Sequence, residues 1–379
     1  MQIDELPTPA LLLDLDILER NLSRMQKRID SLGSSLRPHV KTHKCVEIAN
    51  RQRQLGCRGI TVSTFYEAEQ FARAGFNDIT WAFPIPAVYT SRVAKLAETI
   101  TLRIVVDSMD ALEYVGNTAR SSGIRIHVWL KVDCGYHRAG VDPDSSLAEQ
   151  LVRSLSESKV LAFDGILSHS GHAYYGKNRM EILAVANQER TVMTDFAERM
   201  RRKGYQLPAV SIGSTPAISV IDNLEGISEV RPGNYCFFDQ TMVDLGVCGV
   251  EDCAVTVLAS VISHQPGASH VVVDAGALAL SKDTGVSKAE QAPVMGVLFE
   301  DYGKKSTFEK IALRTLSQEH GKILAEKASF VDGRFRVGER VRILENHSCL
   351  TVPHFPGYNV VRGTEVIDRW SIFGGRTSV

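Results

Sequence analysis

A chain of 379 residues is too long for one small core and calls for two domains, or for a barrel with a companion. Its 43 Lys and Arg balance 44 Asp and Glu, so no large net charge favours nucleic acid or an anionic membrane. A hydrophobic share of 44% is ordinary for a soluble globular protein, and no apolar run is long enough to span a bilayer.

The first residues, Met1 to Leu6, are polar and lead into Pro7-Thr8-Pro9 without a basic segment and a long apolar run, so no secretory signal is expected. The seven cysteines, Cys45, Cys57, Cys134, Cys236, Cys248, Cys253 and Cys349, are odd in number and lack C-x-x-C spacing. That pattern predicts reduced thiols in a cytoplasm, not a disulfide framework.

Pro9–Asp16 reads as a buried strand, followed by a helix with Ile17, Leu18, Leu22, Met25, Ile29 and Leu32 on one face. From Leu36 to Tyr235 eight short apolar runs follow: Leu36–Lys41, Gly59–Thr64, Asp78–Phe83, Thr101–Asp107, Arg125–Asp133, Leu161–Ser170, Ala209–Ser214 and Glu229–Tyr235. Helix-like segments such as Val46–Leu55, Ala111–Arg120, Ser145–Ser158 and Ile182–Lys203 separate them. Strands alternating with helices imply right-handed crossovers and a parallel sheet. Eight such units predict an α/β fold closed as a (β/α)8 TIM barrel, with an open doubly wound sheet as the alternative. From about Gly249 strands follow one another without regular helices: Ala254–Ser263, His270–Asp274, Val294–Phe299, Arg340–Leu344 and Val366–Ser371. They predict a separate antiparallel β domain.

Arg37-Pro38-His39-Val40-Lys41-Thr42-His43-Lys44 sets Lys41 at the C-terminal end of the first barrel strand, the face where barrel active sites sit. A lysine there can form a Schiff base with an aldehyde cofactor; the plainer reading is a solvated surface lysine. Ser211-Ile212-Gly213-Ser214-Thr215-Pro216 closes the seventh strand and opens a helix. Its small residues let backbone N–H groups approach a phosphate, although the same residues would make a simple N-cap. In Arg231-Pro232-Gly233-Asn234-Tyr235, Gly233 permits close backbone approach, and Arg231 and Tyr235 can reach a phosphate or ring; an ordinary turn is the alternative. In Glu345-Asn346-His347-Ser348-Cys349, an extended strand would face His347 and Cys349 the same way. Imidazole with thiolate suits zinc, and only two protein ligands would leave an open, catalytic site; a buried pair is the alternative.

Taken together these motifs resemble the eukaryotic-type D-serine dehydratase and D-threonine aldolase family of fold-type III pyridoxal-phosphate enzymes, relatives of alanine racemase. The resemblance runs in order over essentially the whole chain. It implies a cofactor-binding barrel over 14–248 and a C-terminal β domain over 249–379, joined by the N-terminal strand 1–13. It also implies a homodimer with its active site between domains. Lys41 is then the lysine that carries pyridoxal phosphate. Gly213, Ser214, Thr215 and Gly233 look like the phosphate cradle, with Arg231, Asn234 and Tyr235 beside it. Arg138, in Gly135-Tyr136-His137-Arg138, looks like the arginine beside the cofactor ring, and Tyr174 joins the cofactor contacts. His169 and His172 end the sixth strand and are expected to line the pocket.

Within this family dehydratases look like His-x-Cys and D-threonine aldolases like His-x-Asp, so Cys349 favours the dehydratase branch. A thiolate with an imidazole selects zinc, whereas a carboxylate suits manganese or another hard divalent ion. The expected reaction eliminates water from a β-hydroxy D-amino acid, D-serine giving pyruvate and ammonia. Lys41 would take the α-proton while zinc on His347 and Cys349 assists the leaving hydroxyl. The alternatives are a D-threonine aldolase, a 3-hydroxy-D-aspartate dehydratase, an amino-acid racemase, a non-catalytic pyridoxal-phosphate carrier and a purely structural protein.

Overall fold

The computed structural model describes residues 1–286, 293–331 and 333–375. The chain forms two compact units, one built from Arg24–Lys41 and Ile48–Gly233, the other from Met1–Ser23, Thr42–Glu47 and Asn234–Gly374. No helix among the described residues is long and apolar enough to cross a membrane.

Strand β1 (Ala10–Asp14) belongs to the second unit; the first holds β2 (Ser35–Leu36), β3 (Ile60–Val62), β4 (Asp78–Pro84), β5 (Thr101–Val106), β6 (Ile126–Lys131), β7 (Leu161–Leu167), β8 (Val210–Ile212) and β9 (Glu229–Val230). These eight pair in the order β2-β9-β8-β7-β6-β5-β4-β3, every neighbour parallel. β2 is shorter than the run Leu36–Lys41 suggests, because Pro38 has no N–H to give to a ladder. Pairing resumes at His39, which bridges Thr61 in parallel, while Val40 N donates to Thr61 O (2.8 Å) and Thr61 N to Pro38 O (2.9 Å). That bridge joins the first strand to the second and closes the ring, so the sheet is a barrel and not an open doubly wound array. Val105, Trp129 and Leu167 form a buried cluster on its strands.

The helices follow from their stripes and caps. Ser146–Glu157 is capped by Ser145, whose Oγ accepts from Ala148 N (3.2 Å), and buries Leu151, Val152 and Leu155 on one face. Each such side chain contributes roughly 1.5–3 kcal/mol of burial, and losing the cap would cost about 1 kcal/mol. At Gly165 β7 comes so close to the chain before β8 that a Cβ would meet Ala209 O at 2.1 Å.

In the second unit β1 runs antiparallel to β10 (Val255–His264) and parallel to β16 (Gly357–Arg362), in a nine-stranded sheet. The others are β11 (His270–Val273), β12 (Gly296–Asp301), β13 (Ser306–Leu316), β14 (Gly321–Ala325), β15 (Arg340–Leu344) and β17 (Glu365–Ser371). Their order is β11-β14-β13-β12-β15-β10-β1-β16-β17, and β11 also pairs β10. Leu6, Ala10, Leu12, Leu258 and Val361 form one of its buried clusters. Three strands, β13, β14 and β16, escape the sequence reading. In β13, Glu309 and Lys310 are exposed while Ile311 and Leu313 are buried, so the segment reads as polar. The stretch Asn234–Cys248 groups with this compact unit. Its bonds run that way: Asn21 Nδ2 donates to Cys236 O (3.2 Å), Ala254 N to Phe237 O (2.8 Å) and Gln240 N to Glu345 O (3.1 Å).

Candidate active site

Within the barrel unit Lys41 lies just past the closing bridge of His39, in the turn Val40–His43, and is half-buried. Its electrostatic neighbour is His169, two residues beyond the end of β7. His169 Nδ1 is 2.9 Å from Gly213 O, a group that only accepts, so Nδ1 carries the hydrogen. Burial, and then the charge of Lys41, push this imidazole well below its ordinary range and outweigh that hydrogen bond, so it stays neutral.

Tyr136 stands edge-on to His169 (6.1 Å, 79°) and stacks on His172 (5.9 Å, 20°), with Arg138 Cζ 5.1 Å over its ring. Gly171 makes this possible, since a Cβ there would strike the Tyr136 ring at 2.2 Å. Both ring nitrogens of His172 are buried without a hydrogen-bond partner among the described residues. Tyr174 sits half-buried in the same single turn, Gly171–Tyr175.

The ends of β7 and β8 are tied by a carboxylate that no motif contains. Glu189, buried on the helix Arg179–Arg202, accepts from Ser168 Oγ (2.7 Å), Ser170 Oγ (2.6 Å) and Gly213 N (3.3 Å). Ser170 Oγ is 3.2 Å from Ser214 Oγ, and Gly233 N donates to Thr215 Oγ1 (3.2 Å). Gly213, Ser214, Thr215 and Gly233 thus come together. Gly213 has φ +131°, and a Cβ there would lie 3.0 Å from Arg231 N. This cradle, which a side chain would fill, fits a bound phosphate group such as that of pyridoxal phosphate. The helix Thr215–Val220 opens there, with Pro216 in its first turn.

Arg231 is buried and donates to Ser211 Oγ and Ser168 O; burial lowers its pKa, against the charges of Glu229 and Glu189. Lys131 is buried beside it. Burial, then the charges of Arg231 and Arg138, bring its amine down to about 8. Asn234 and Tyr235 are buried in the other unit. Asn234 Nδ2 donates to Asp239 Oδ2 (2.6 Å), and its Oδ1 has no partner among the described residues.

In the second unit His347 and Cys349 meet, but not on an extended strand. β15 ends at Leu344, and the chain turns into the short helix Ser348–Thr351 with His347 at its N-cap. Leu350 N and Thr351 N donate to His347 O (2.9 and 3.1 Å). The turn is anchored from beneath: Ser348 N donates to Asp239 Oδ2 (3.1 Å), and Ser348 Oγ lies 2.6 Å from Glu345 Oε1 and 3.1 Å from Phe238 O. Helix capping, not strand alternation, brings the two side chains into hydrogen-bonding contact. Burial, aided by the charge of Asp239, pushes the Glu345 carboxyl well above the usual range.

Burial disfavours the charged form of His347, yet hydrogen bonds to Asp283 and Cys349 outweigh it and push the ring up to about 11. Its Nδ1 is 3.0 Å from Asp283 Oδ2, and Cys349 Sγ is 3.2 Å from Thr42 Oγ1. An imidazole and a thiol in contact, both partly open to solvent, form a donor set suited to zinc. Among the described residues no three or more His, Cys, Asp and Glu side chains gather as a cage.

Sequence reasoning missed Glu189, Lys131, Asp283 and Asp239. Glu189 left a trace, an acid on the face that carries Ala186 and Met193; Asp283 left none, standing 64 residues before its partner.

The family description "Alanine racemase, N-terminal domain" matches residues 13–241, and "Putative serine dehydratase domain" matches residues 254–361. The chain is 38% identical to D-threo-3-hydroxyaspartate dehydratase of Delftia sp. (strain HT23) over 98% of each chain. It is 35% identical to D-serine dehydratase of Dictyostelium discoideum over 96% of each. A solved D-threo-3-hydroxyaspartate dehydratase, a cysteine-to-alanine mutant in the metal-free form, superposes with a TM-score of 0.94 at 36% identity, covering 99% of this chain and 100% of that one.

Proposed function

The chain belongs to the family that joins an alanine racemase N-terminal domain to a putative serine dehydratase domain, a family of fold-type III pyridoxal-phosphate enzymes, and from that premise we propose that it is a zinc-dependent lyase of β-hydroxy D-amino acids. D-serine is the substrate we put first, yielding pyruvate and ammonia. The identity to a 3-hydroxyaspartate dehydratase favours 3-hydroxy-D-aspartate as the second reading.

The observation that carries the dehydratase reading is the contact between His347 and Cys349. Hydroxide is a poor leaving group, and these two side chains would hold the zinc that assists it. A relative solved without metal carries a cysteine-to-alanine change, which supports a cysteine in that metal site. When bound, pyridoxal phosphate supplies an electron sink for the pair left at Cα, and zinc supplies a Lewis acid for the β-hydroxyl.

The remaining roles belong to the chain itself. Lys41 is the tether of the cofactor and the amine that receives the α-proton. His169, held neutral beside it, adds no second positive charge to oppose that proton's arrival. Glu189 holds the ends of β7 and β8 so that Gly213, Ser214 and Thr215 keep the phosphate cradle open, with Gly233 bonded to Thr215. Arg138 and Tyr136, stacked together, and Tyr174 would flank the cofactor ring. A cytoplasmic homodimer completes the reading. The odd number of cysteines without C-x-x-C spacing supports a reducing compartment, and the family resemblance supports the dimer.

The test is a panel of D-amino acids with and without a chelator, scoring ammonia, keto acid and aldehyde. Pyruvate from D-serine, lost on chelation and restored by zinc, is the expected result. Acetaldehyde from D-threonine would replace the reading with a retro-aldol enzyme. Absence of any turnover would return the non-catalytic carrier.

A further inference from the structure

The contact between His347 Nδ1 and Asp283 Oδ2, at 3.0 Å, joins residues 64 apart in sequence. A carboxylate only accepts, so the hydrogen of this bond sits on Nδ1, and a neutral imidazole protonated there carries its lone pair on Nε2. We propose that Asp283 is the positioning residue of the metal centre, holding His347 in the tautomer and orientation that make Nε2 the metal-binding atom. This rests on reading His347 as a metal ligand, and adds the atom through which it binds and the group that aims it.

Asp283 is itself held on every side. Its Oδ1 accepts from Gly285 N (2.7 Å), its N donates to Ser281 Oγ (3.2 Å), and its carbonyl accepts from Asn346 Nδ2 (2.8 Å). Asn346 precedes His347 in the chain, so the backbone carrying the carboxylate is tied to the backbone carrying the ring. The two side chains are 28% and 27% exposed, so the pair is not sealed from solvent, and the imidazole is also in contact with Cys349. Asp283 is not placed as a ligand in its own right. The two ring nitrogens point to opposite edges, and an oxygen seated on Nδ1 cannot also meet a metal on Nε2. A carboxylate on the second nitrogen of a ligating histidine fixes the ring and raises its basicity.

Zinc affinity of the full-length protein, measured by competition with a chromophoric chelator, tests the proposal without recourse to activity. Asp283→Ala should weaken zinc binding roughly 10–100-fold. Asp283→Asn preserves shape, yet its single oxygen cannot serve both Gly285 N and His347 Nδ1. An amide N–H turned toward Nδ1 would favour the wrong tautomer, so Asn should lose affinity as Ala does. A role confined to packing would tolerate Asn. In a His347→Ala background, Asp283→Ala should cost nothing further; a second loss there would mark Asp283 as a direct ligand and overturn the positioning role. Wild-type affinity in Asp283→Ala would overturn it as well, provided His347→Ala alone releases zinc. A wild type whose zinc binding ignores His347→Ala would instead remove the metal reading itself.

Discussion

Thr42 Oγ1 lies 3.2 Å from Cys349 Sγ, and Thr42 is the residue that follows Lys41 in the chain. A metal-bound sulfur is a thiolate and accepts only, so the threonine hydroxyl must be the donor once zinc is held. Hydrogen bonds to charged groups are worth about 1.5–3 kcal/mol. Thr42→Val, which keeps the shape and removes the donor, should therefore weaken zinc binding by roughly tenfold or more. Thr42→Ser should restore most of it. Chelator competition on the purified variants measures both. Equal affinity in Val and Thr would show that the contact carries no weight.

A second prediction concerns the charges on the barrel strands. Arg37, 3% exposed, bonds Glu229 Oε2 through Nε (2.8 Å) and Asp78 Oδ1 through Nη1 (2.6 Å). Arg103 then joins Asp78 to Asp164, and His127 reaches Asp164 (2.8 Å). Glu229 is 8% exposed and would keep only Ser211 Oγ (2.7 Å) among these partners if the guanidinium were removed. Breaking a buried pair from one side costs about 3–5 kcal/mol, because it strands a charge. Arg37→Met should lower the stability of the cofactor-free protein by that order in urea unfolding. Arg37→Met with Glu229→Gln should recover part of the loss; a double variant no better than the single would argue against stranded charge as the cause.

Lys131 gives a prediction in pH. Burial, with Arg231 and Arg138 alongside, sets its folded pKa at about 8, against an ordinary value of 10.5. Between those values the unfolded chain holds a proton that the folded chain has released. Stability contributed by this residue therefore rises as pH goes from about 8 to 10.5, and below 8 the buried charge is a constant penalty. The full penalty is on the order of 3 kcal/mol. The melting temperature of Lys131→Met, compared with wild type, should hold its largest advantage near neutral pH and lose it as pH approaches about 10. A difference that stays flat across that range would mean that Lys131 titrates normally.

How legible this was depends on the reach of each interaction. The barrel strands could be read because each couples a short apolar run to a nearby helix, a local pattern. Strand β13 could not, because its burial alternates with Glu309 and Lys310 in a half-exposed sheet. Lys41 was visible in its motif, and so were His347 and Cys349, but the reason that those two side chains converge was not. It lies in Asp239 and Phe238, more than a hundred residues earlier, which hold Ser348 and bend the chain into a helical turn. Asp283 acts across 64 residues and Glu189 across 19 to 24, shorter gaps but still beyond the reach of helix or strand periodicity.

Cys349 offers the sharpest separation of the two lyase branches. Alanine there removes one of the two side chains proposed to hold the metal. Removing a supporting residue alone costs a ligating site roughly 10–100-fold, so losing the ligand should cost at least about a hundredfold in zinc affinity. Elimination from D-serine should vanish, while cofactor absorbance and borohydride labelling of Lys41 stay, since Cys349 is not the residue proposed to tether the cofactor. Aspartate in place of Cys349 makes the pair His-x-Asp. A hard carboxylate should turn the site from zinc toward manganese without restoring pyruvate formation. Zinc and manganese titrations of both variants, run beside the keto-acid assay, check this. Keto acid formed by the alanine variant in the presence of chelator would show that the hydroxyl leaves without help from a metal at this pair.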